Sequence, residues 1–148
     1  MEKIKSFLNN QKSQMIELQR ILTAIPAISP ENGGIGESEK CAALEKWLRE
    51  NGSSDIKKYS APDSRVPSKE RPSLVVTIPG QNDDYRIWVM AHMDVVPTGE
   101  LSLWETEPFT MVEKDGKLFG RGVEDNQQGL VSSVFASHTP NKSIAFWA

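Results

Sequence analysis

The sequence predicts an α/β fold, and three observations carry that reading. Apolar residues in the first fifty positions recur at helical spacing, and the segments after residue 74 are short runs rich in β-branched and aromatic residues. A further helical stretch begins near Asp125. Helices interleaved with strands bury their apolar faces as layers around one core.

Ile4, Leu8, Met15, Leu18 and Leu22 share one face of a helix spanning Lys3 to Ala24, which must stop before Pro26. The Gly- and Asn-rich stretch Pro30 to Gly36 is a loop on composition. Ser38 to Glu50 predicts a second helix, with Cys41, Leu44, Trp47 and Leu48 inward and Asn51-Gly52 as its stop. Ser60 to Arg71, rich in Pro, Ser and charge, predicts an exposed connection. Leu74–Ile78 and Arg86–Ala91 read as two strands paired in a hairpin across Pro79 to Asp84. The second is apolar on both faces, which predicts a central position in a covered sheet. Phe109–Glu113 and Lys117–Phe119 flank Asp115-Gly116, a pair suited to a tight hairpin turn. Asp125 to Ala136 predicts a third helix, and Ser143 to Ala148 a last β-like run. That run stays apolar through Phe146-Trp147-Ala148, so the expectation is a chain cut within a strand.

A length of 148 residues suits one domain. The 17 Lys and Arg against 20 Asp and Glu give a net charge of −3, which argues against a nucleic-acid surface. No run approaches the roughly 18 apolar residues of a membrane span. The start, Met1-Glu2-Lys3-Ile4-Lys5, leads into Asn9-Asn10-Gln11-Lys12 rather than the apolar centre of a signal peptide. A lone Cys41 forms no internal disulfide and no zinc cluster. The expectation is a cytoplasmic protein acting on a small molecule.

Two segments carry chemistry. In Met90-Ala91-His92-Met93-Asp94-Val95-Val96-Pro97 a strand runs directly into His92 and Asp94, and ligands collect beyond the carboxyl ends of strands in α/β sheets. Residues two apart on extended chain point the same way, so Asp94 is placed to hold one imidazole nitrogen and leave the other for a metal. The bland alternative is a His–Asp pair that merely closes a strand. In Gly120-Arg121-Gly122-Val123-Glu124-Asp125 a carboxylate opens a helix, which is either a cap favoured by the helix dipole or a metal ligand. The Gly-x-Gly alone is weak, and the longer dinucleotide-binding pattern is missing. His138 reads as an exposed helix end, Cys41 as a core residue, and Trp104 and Phe109 as either an entry border or packing under a loop.

Together, Ala91–Pro97, Trp104-Glu105-Thr106-Glu107-Pro108-Phe109 and Asp115–Gly122 with Asp125 resemble the co-catalytic zinc-dependent amidohydrolase and exopeptidase superfamily. That group includes aminoacylase, acetylornithine deacetylase, succinyl-diaminopimelate desuccinylase and glutamate-carboxypeptidase-type peptidases. The resemblance implies a partial zinc-exopeptidase-like catalytic domain, a central mixed sheet with flanking helices. Residues 1–148 would be the N-terminal part of it, with no second domain, truncated before the rest of the metal site and the lid domain.

It implies that His92 and Asp125 are metal ligands, Asp125 bridging two zinc ions, with cobalt or manganese as substitutes. Asp94 would be a catalytic residue that orients His92. A cis peptide is implied between Asp125 and Asn126. The remaining ligands and the general base, which the family carries on a Glu-Glu pair and later residues, are not in this sequence. The implied substrate is a small peptide or N-acylated amino acid, with no nucleic acid and no membrane involved, and a homodimer through the lid domain. Activity of the chain alone is expected to be negligible. The alternative is a non-catalytic homologue that serves as a binding or interaction module.

Overall fold

The structure, a computed structural model, describes residues 2–79, 84, 86–137 and 145–147, with side chains for residues 5–79, 84 and 86–137. Among the described residues, three α-helices, α1 (Glu2–Thr23), α2 (Ser38–Glu50) and α3 (Gln128–Ser137), accompany six strands. The strands are β1 (Ile56–Pro62), β2 (Glu70–Thr77), β3 (Trp88–Met90), β4 (Val112–Lys114), β5 (Lys117–Phe119) and β6 (Ala145–Trp147). Four strands form a mixed sheet in the order β1-β2-β6-β3. Only β3 and β6 are parallel within it. This is the α/β class the sequence predicts.

Leu18 and Leu22 of α1, Cys41, Leu44 and Leu48 of α2, Leu74 and Val76 of β2, and Leu130, Val131, Val134 and Phe135 of α3 make one buried cluster. Leu74 and Val76 are two apart and so share a sheet face, which the helices cover. Each fully buried leucine contributes roughly 2 kcal/mol relative to exposure. Trp47 and Phe135 join α2 to α3 with ring centroids 5.4 Å apart. The apolar stripe of α1 is buried only from its middle onward, since Leu8 remains exposed. Among the described residues, no helix is long and apolar enough to cross a membrane.

Four sequence expectations change. β2 and β3 are not a hairpin, because β6 lies between them, antiparallel to β2 and parallel to β3. β3 is therefore an edge strand among the described residues, and Trp88 and Met90 are exposed rather than covered. The supposed connection Ser60–Arg71 includes the ends of a real hairpin, with Ile56 opposite Val76 and Pro62 opposite Glu70. β1 escapes notice because it is an exposed edge and lacks an alternating apolar face. The β4–β5 hairpin is as expected: Asp115 and Gly116 have φ of 53° and 72°, the left-handed pair of a two-residue turn. Helix α3 starts three residues later than expected, because Asp125 and Asn126 are non-helical. Cys41 is buried in the core. His138 lies outside the described residues.

Candidate functional site: an imidazole between two carboxylates

Beyond β3 the chain stays extended. Val95 donates its N–H to the Ala27 carbonyl at 2.9 Å and bridges in parallel with Ile28. Extended backbone alternates its side chains, so Met93 and Val95 are buried while His92 and Asp94 project outward, each about half exposed. His92 Nδ1 stands 3.0 Å from the Asp94 carbonyl oxygen and 3.3 Å from Asp94 Oδ1. A proton on Nδ1 is donated there, which leaves the lone pair on Nε2.

Nε2 stands 3.0 Å from Asp125 Oδ1, across 33 residues of sequence. Asp125 lies in a widened turn, Val123–Gln127, that leads into α3. Its φ and ψ of −110° and 98°, and those of Asn126 at −128° and 29°, depart from the helix, and the Asp125–Asn126 peptide is cis. Helix α3 begins only at Gln128 and the carboxylate faces His92, so it does not serve as a helix cap. It extends from the turn toward His92 and is mostly exposed.

The turn rests on buried polar groups of α1. Gln19 Nε2 donates to the Val123 carbonyl at 3.0 Å, and Thr23 Oγ1 donates to Gln127 Oε1 at 2.9 Å. Sequence reasoning passed over Gln19 and Thr23. The available signal was that Gln19 and Thr23, four residues apart, flank Leu18 and Leu22 on the inward side of α1. Gly122 closes the turn by accepting the Gln127 N–H at 3.0 Å.

Arg121 ties the neighbouring loop down. Its N–H donates to the Pro108 carbonyl at 2.6 Å and its Nη2 to the Thr98 carbonyl at 3.2 Å. The guanidinium also lies 5.1 Å from the centre of the Trp104 ring. Trp104 Nε1 donates to the same Thr98 carbonyl at 2.9 Å. Trp104 is thus part of the packing under this loop, and its indole stacks on Arg121.

An imidazole lone pair facing an ionised carboxylate is repulsive unless a cation stands between them, either a proton or a metal. Two donors on a tetrahedral zinc at 2.0–2.1 Å are about 3.3 Å apart. The observed 3.0 Å needs only a small opening to admit such an ion. One nitrogen and one carboxylate oxygen are also donor types that zinc accepts. Asp94 occupies the opposite ring nitrogen, and among the described residues no third His, Cys, Asp or Glu completes a ligand cluster.

The chain is similar to known metallohydrolases and peptidases. Residues 88–144 match the family described as Peptidase family M20/M25/M40. The chain is 39% identical, over 125 residues, to an uncharacterized metallohydrolase of Methanocaldococcus jannaschii, covering 82% of this chain and 30% of that protein. It is 34% identical over 139 residues to the succinyl-diaminopimelate desuccinylase of Delftia acidovorans, covering 89% and 33%. In fold it is similar to the solved di-peptidase Dug1p from Saccharomyces cerevisiae, with a TM-score of 0.73 at 23% identity, over 96% of this chain and 32% of that one. The chain thus spans about a third of the length of the relatives it matches.

Proposed function

We propose, from the match of residues 88–144 to peptidase family M20/M25/M40 and the 39% identity to a metallohydrolase, that the chain belongs to that family and that residues 1–148 are the N-terminal part of the catalytic domain of a zinc-dependent amide hydrolase. The substrates are peptides or N-acylated amino acids of small size, in keeping with the desuccinylase named among its relatives. The observation that carries the reading is the 3.0 Å approach of His92 Nε2 to Asp125 Oδ1, with Nδ1 already engaged by Asp94.

In this reading His92 and Asp125 hold the metal. Asp94 is a catalytic-site residue that fixes the imidazole tautomer and ring orientation from the far side of the ring. The chemistry zinc supplies when bound is Lewis acidity toward the amide carbonyl and activation of water near neutral pH. The chain's own residues set the geometry for that chemistry. Asp94 keeps the proton on Nδ1, and the turn Val123–Gln127 aims the carboxylate.

Two donors are fewer than the three that catalytic zinc usually takes from protein. The 148 residues alone are therefore expected to bind zinc weakly and to turn over no substrate. Calorimetric titration with zinc, beside an assay on acetyl-amino acids and dipeptides, tests this. Weak binding that is lost in His92→Ala supports the reading. Tight binding of two zinc ions with turnover by the 148 residues would overturn the partial-site reading, and no binding at all would overturn the metal reading.

A further inference from the structure

We propose that Thr23, at the end of α1, is a positioning residue for Asp125 that acts through Gln127. The inference rests on the reading of Asp125 as a metal ligand but is argued from different contacts. Thr23 is fully buried, and Gln127 is 1% exposed. The Thr23 hydroxyl donates to Gln127 Oε1 at 2.9 Å. Its methyl Cγ2 packs on Gly120, 2.9 Å from where a Cβ on that glycine would stand. The hydroxyl therefore ties down the Gln127 end of the segment 120–127, which carries Asp125, while the methyl fills the space beside Gly120.

The segment needs that brace. Asp125 and Asn126 have non-helical backbone angles, so α3 does not dictate where the carboxylate points. Among the described residues, the one side-chain partner of that carboxylate is His92. What fixes the turn lies beneath it. The Gln127 N–H is bound to the Gly122 carbonyl, the Gln127 carboxamide packs against Gly122, and Gln19 holds the Val123 carbonyl. Gln19 and Thr23 tie this turn to the last turns of α1.

Stability alone does not account for the arrangement. Gln127 Nε2 and Gln19 Oε1 are buried without a hydrogen-bond partner among the described residues. A buried amide with half its capacity unmet costs free energy that an apolar pair of the same shape avoids. The polar pair does supply a directional tie, which an apolar pair cannot.

The test uses the 148-residue chain with three variants. Thr23→Val keeps the shape and removes the hydroxyl, Thr23→Ser keeps the hydroxyl, and Gln127→Met removes its acceptor. Thermal unfolding confirms folding. Nuclear Overhauser contacts between the His92 ring and the Asp125 β-protons then read the geometry without metal, and zinc titration reads its consequence. Thr23→Val and Gln127→Met are expected to lose the His92–Asp125 contact and to bind zinc about tenfold more weakly, in the range found for partners behind a metal ligand. Thr23→Ser is expected to keep both.

Folded Thr23→Val and Gln127→Met chains with the contact and affinity unchanged would overturn the proposal, as would a Thr23→Ser chain as impaired as Thr23→Val. Absence of the contact in the unmodified chain would overturn it as well. If Thr23→Val does not fold, Gln127→Met against Thr23→Ser decides. If the unmodified chain binds no zinc, the metal reading fails, while the Overhauser comparison still decides the positioning role.

Discussion

Val95 and Gly122 are packed so closely that a Cβ on Gly122 would stand 2.5 Å from Val95 Cγ1. The contact joins the strand extension that bears His92 to the turn that bears Asp125. Gly122 also has φ of 83°, a region L side chains enter at a cost. Gly122→Ala therefore meets both a clash and an unfavourable backbone angle, for a loss of about 2–4 kcal/mol. Gly116 separates the two effects, since it has φ of 72° but no atom within 4 Å of where a Cβ would stand. Gly116→Ala should cost only about 1 kcal/mol. Urea unfolding of the two variants against the unmodified chain measures the difference, and equal losses would remove the packing argument.

The metal reading makes a graded prediction for His92 and its neighbours. His92→Ala removes the only nitrogen donor of the pair and should abolish zinc binding. Asp94→Ala leaves Nε2 in place and the residue-94 carbonyl on Nδ1, but removes the carboxylate 3.3 Å from that nitrogen, so affinity should fall roughly 10- to 100-fold at most. Binding by the unmodified chain should weaken as pH falls, because a proton competes for Nε2. Titrations of the three proteins, repeated at several pH values, check the order. An Asp94→Ala chain that binds as the unmodified one does would deny Asp94 its orienting role.

Local signals in the sequence were reliable where one segment decides its own structure. Helix α2 runs from Ser38 to Glu50 as its apolar spacing predicts, and Asp115-Gly116 makes the turn its side chains favour. What the sequence hid was pairing at a distance. Nothing in Leu74–Ile78 or Arg86–Ala91 reveals that β6 enters between them, because an apolar strand specifies a face to bury and not a neighbour. The motif residues His92, Asp94 and Asp125 were legible by type and spacing, and the structure brings them into contact. Their support was not. Gln19 and Thr23 are polar residues beside an apolar stripe, and only the fold reveals that they face the turn.

Cys41 tests the core independently of the site. Burial pushes its thiol up to about 11, with smaller opposing and reinforcing effects from Lys58 and nearby carboxylates. The reactive thiolate is then about one part in a thousand at pH 8. Native chain at pH 8 should resist iodoacetamide over hours, whereas chain unfolded in urea should be alkylated within minutes. Fast labelling of the native chain would mean that the contact between α2 and the rest of the core opens readily.

Lys40 offers the sharpest pH prediction. It lies on the inward side of α2 beside Cys41 and is 1% exposed. Burial pulls its ammonium down from 10.5 to about 8, partly opposed by the negative charge of Asp94. A lysine depressed on folding binds fewer protons in the folded chain than in the unfolded one between those two values. Stability therefore rises with pH over that window. Below about pH 8 the cost is fully present, and above about 10.5 it is fully relieved. The shift corresponds to about 3 kcal/mol. Lys40→Met keeps the length of the side chain and removes the buried charge, so it should stabilise the chain at pH 7 by about 1–3 kcal/mol. It should also flatten the rise above pH 8. Denaturant unfolding from pH 7 to 10.5 on both proteins reads the two effects together. A Lys40→Met chain less stable at pH 7 and equally pH-dependent would show that the ammonium is held by a favourable partnership with Asp94 that outweighs its burial.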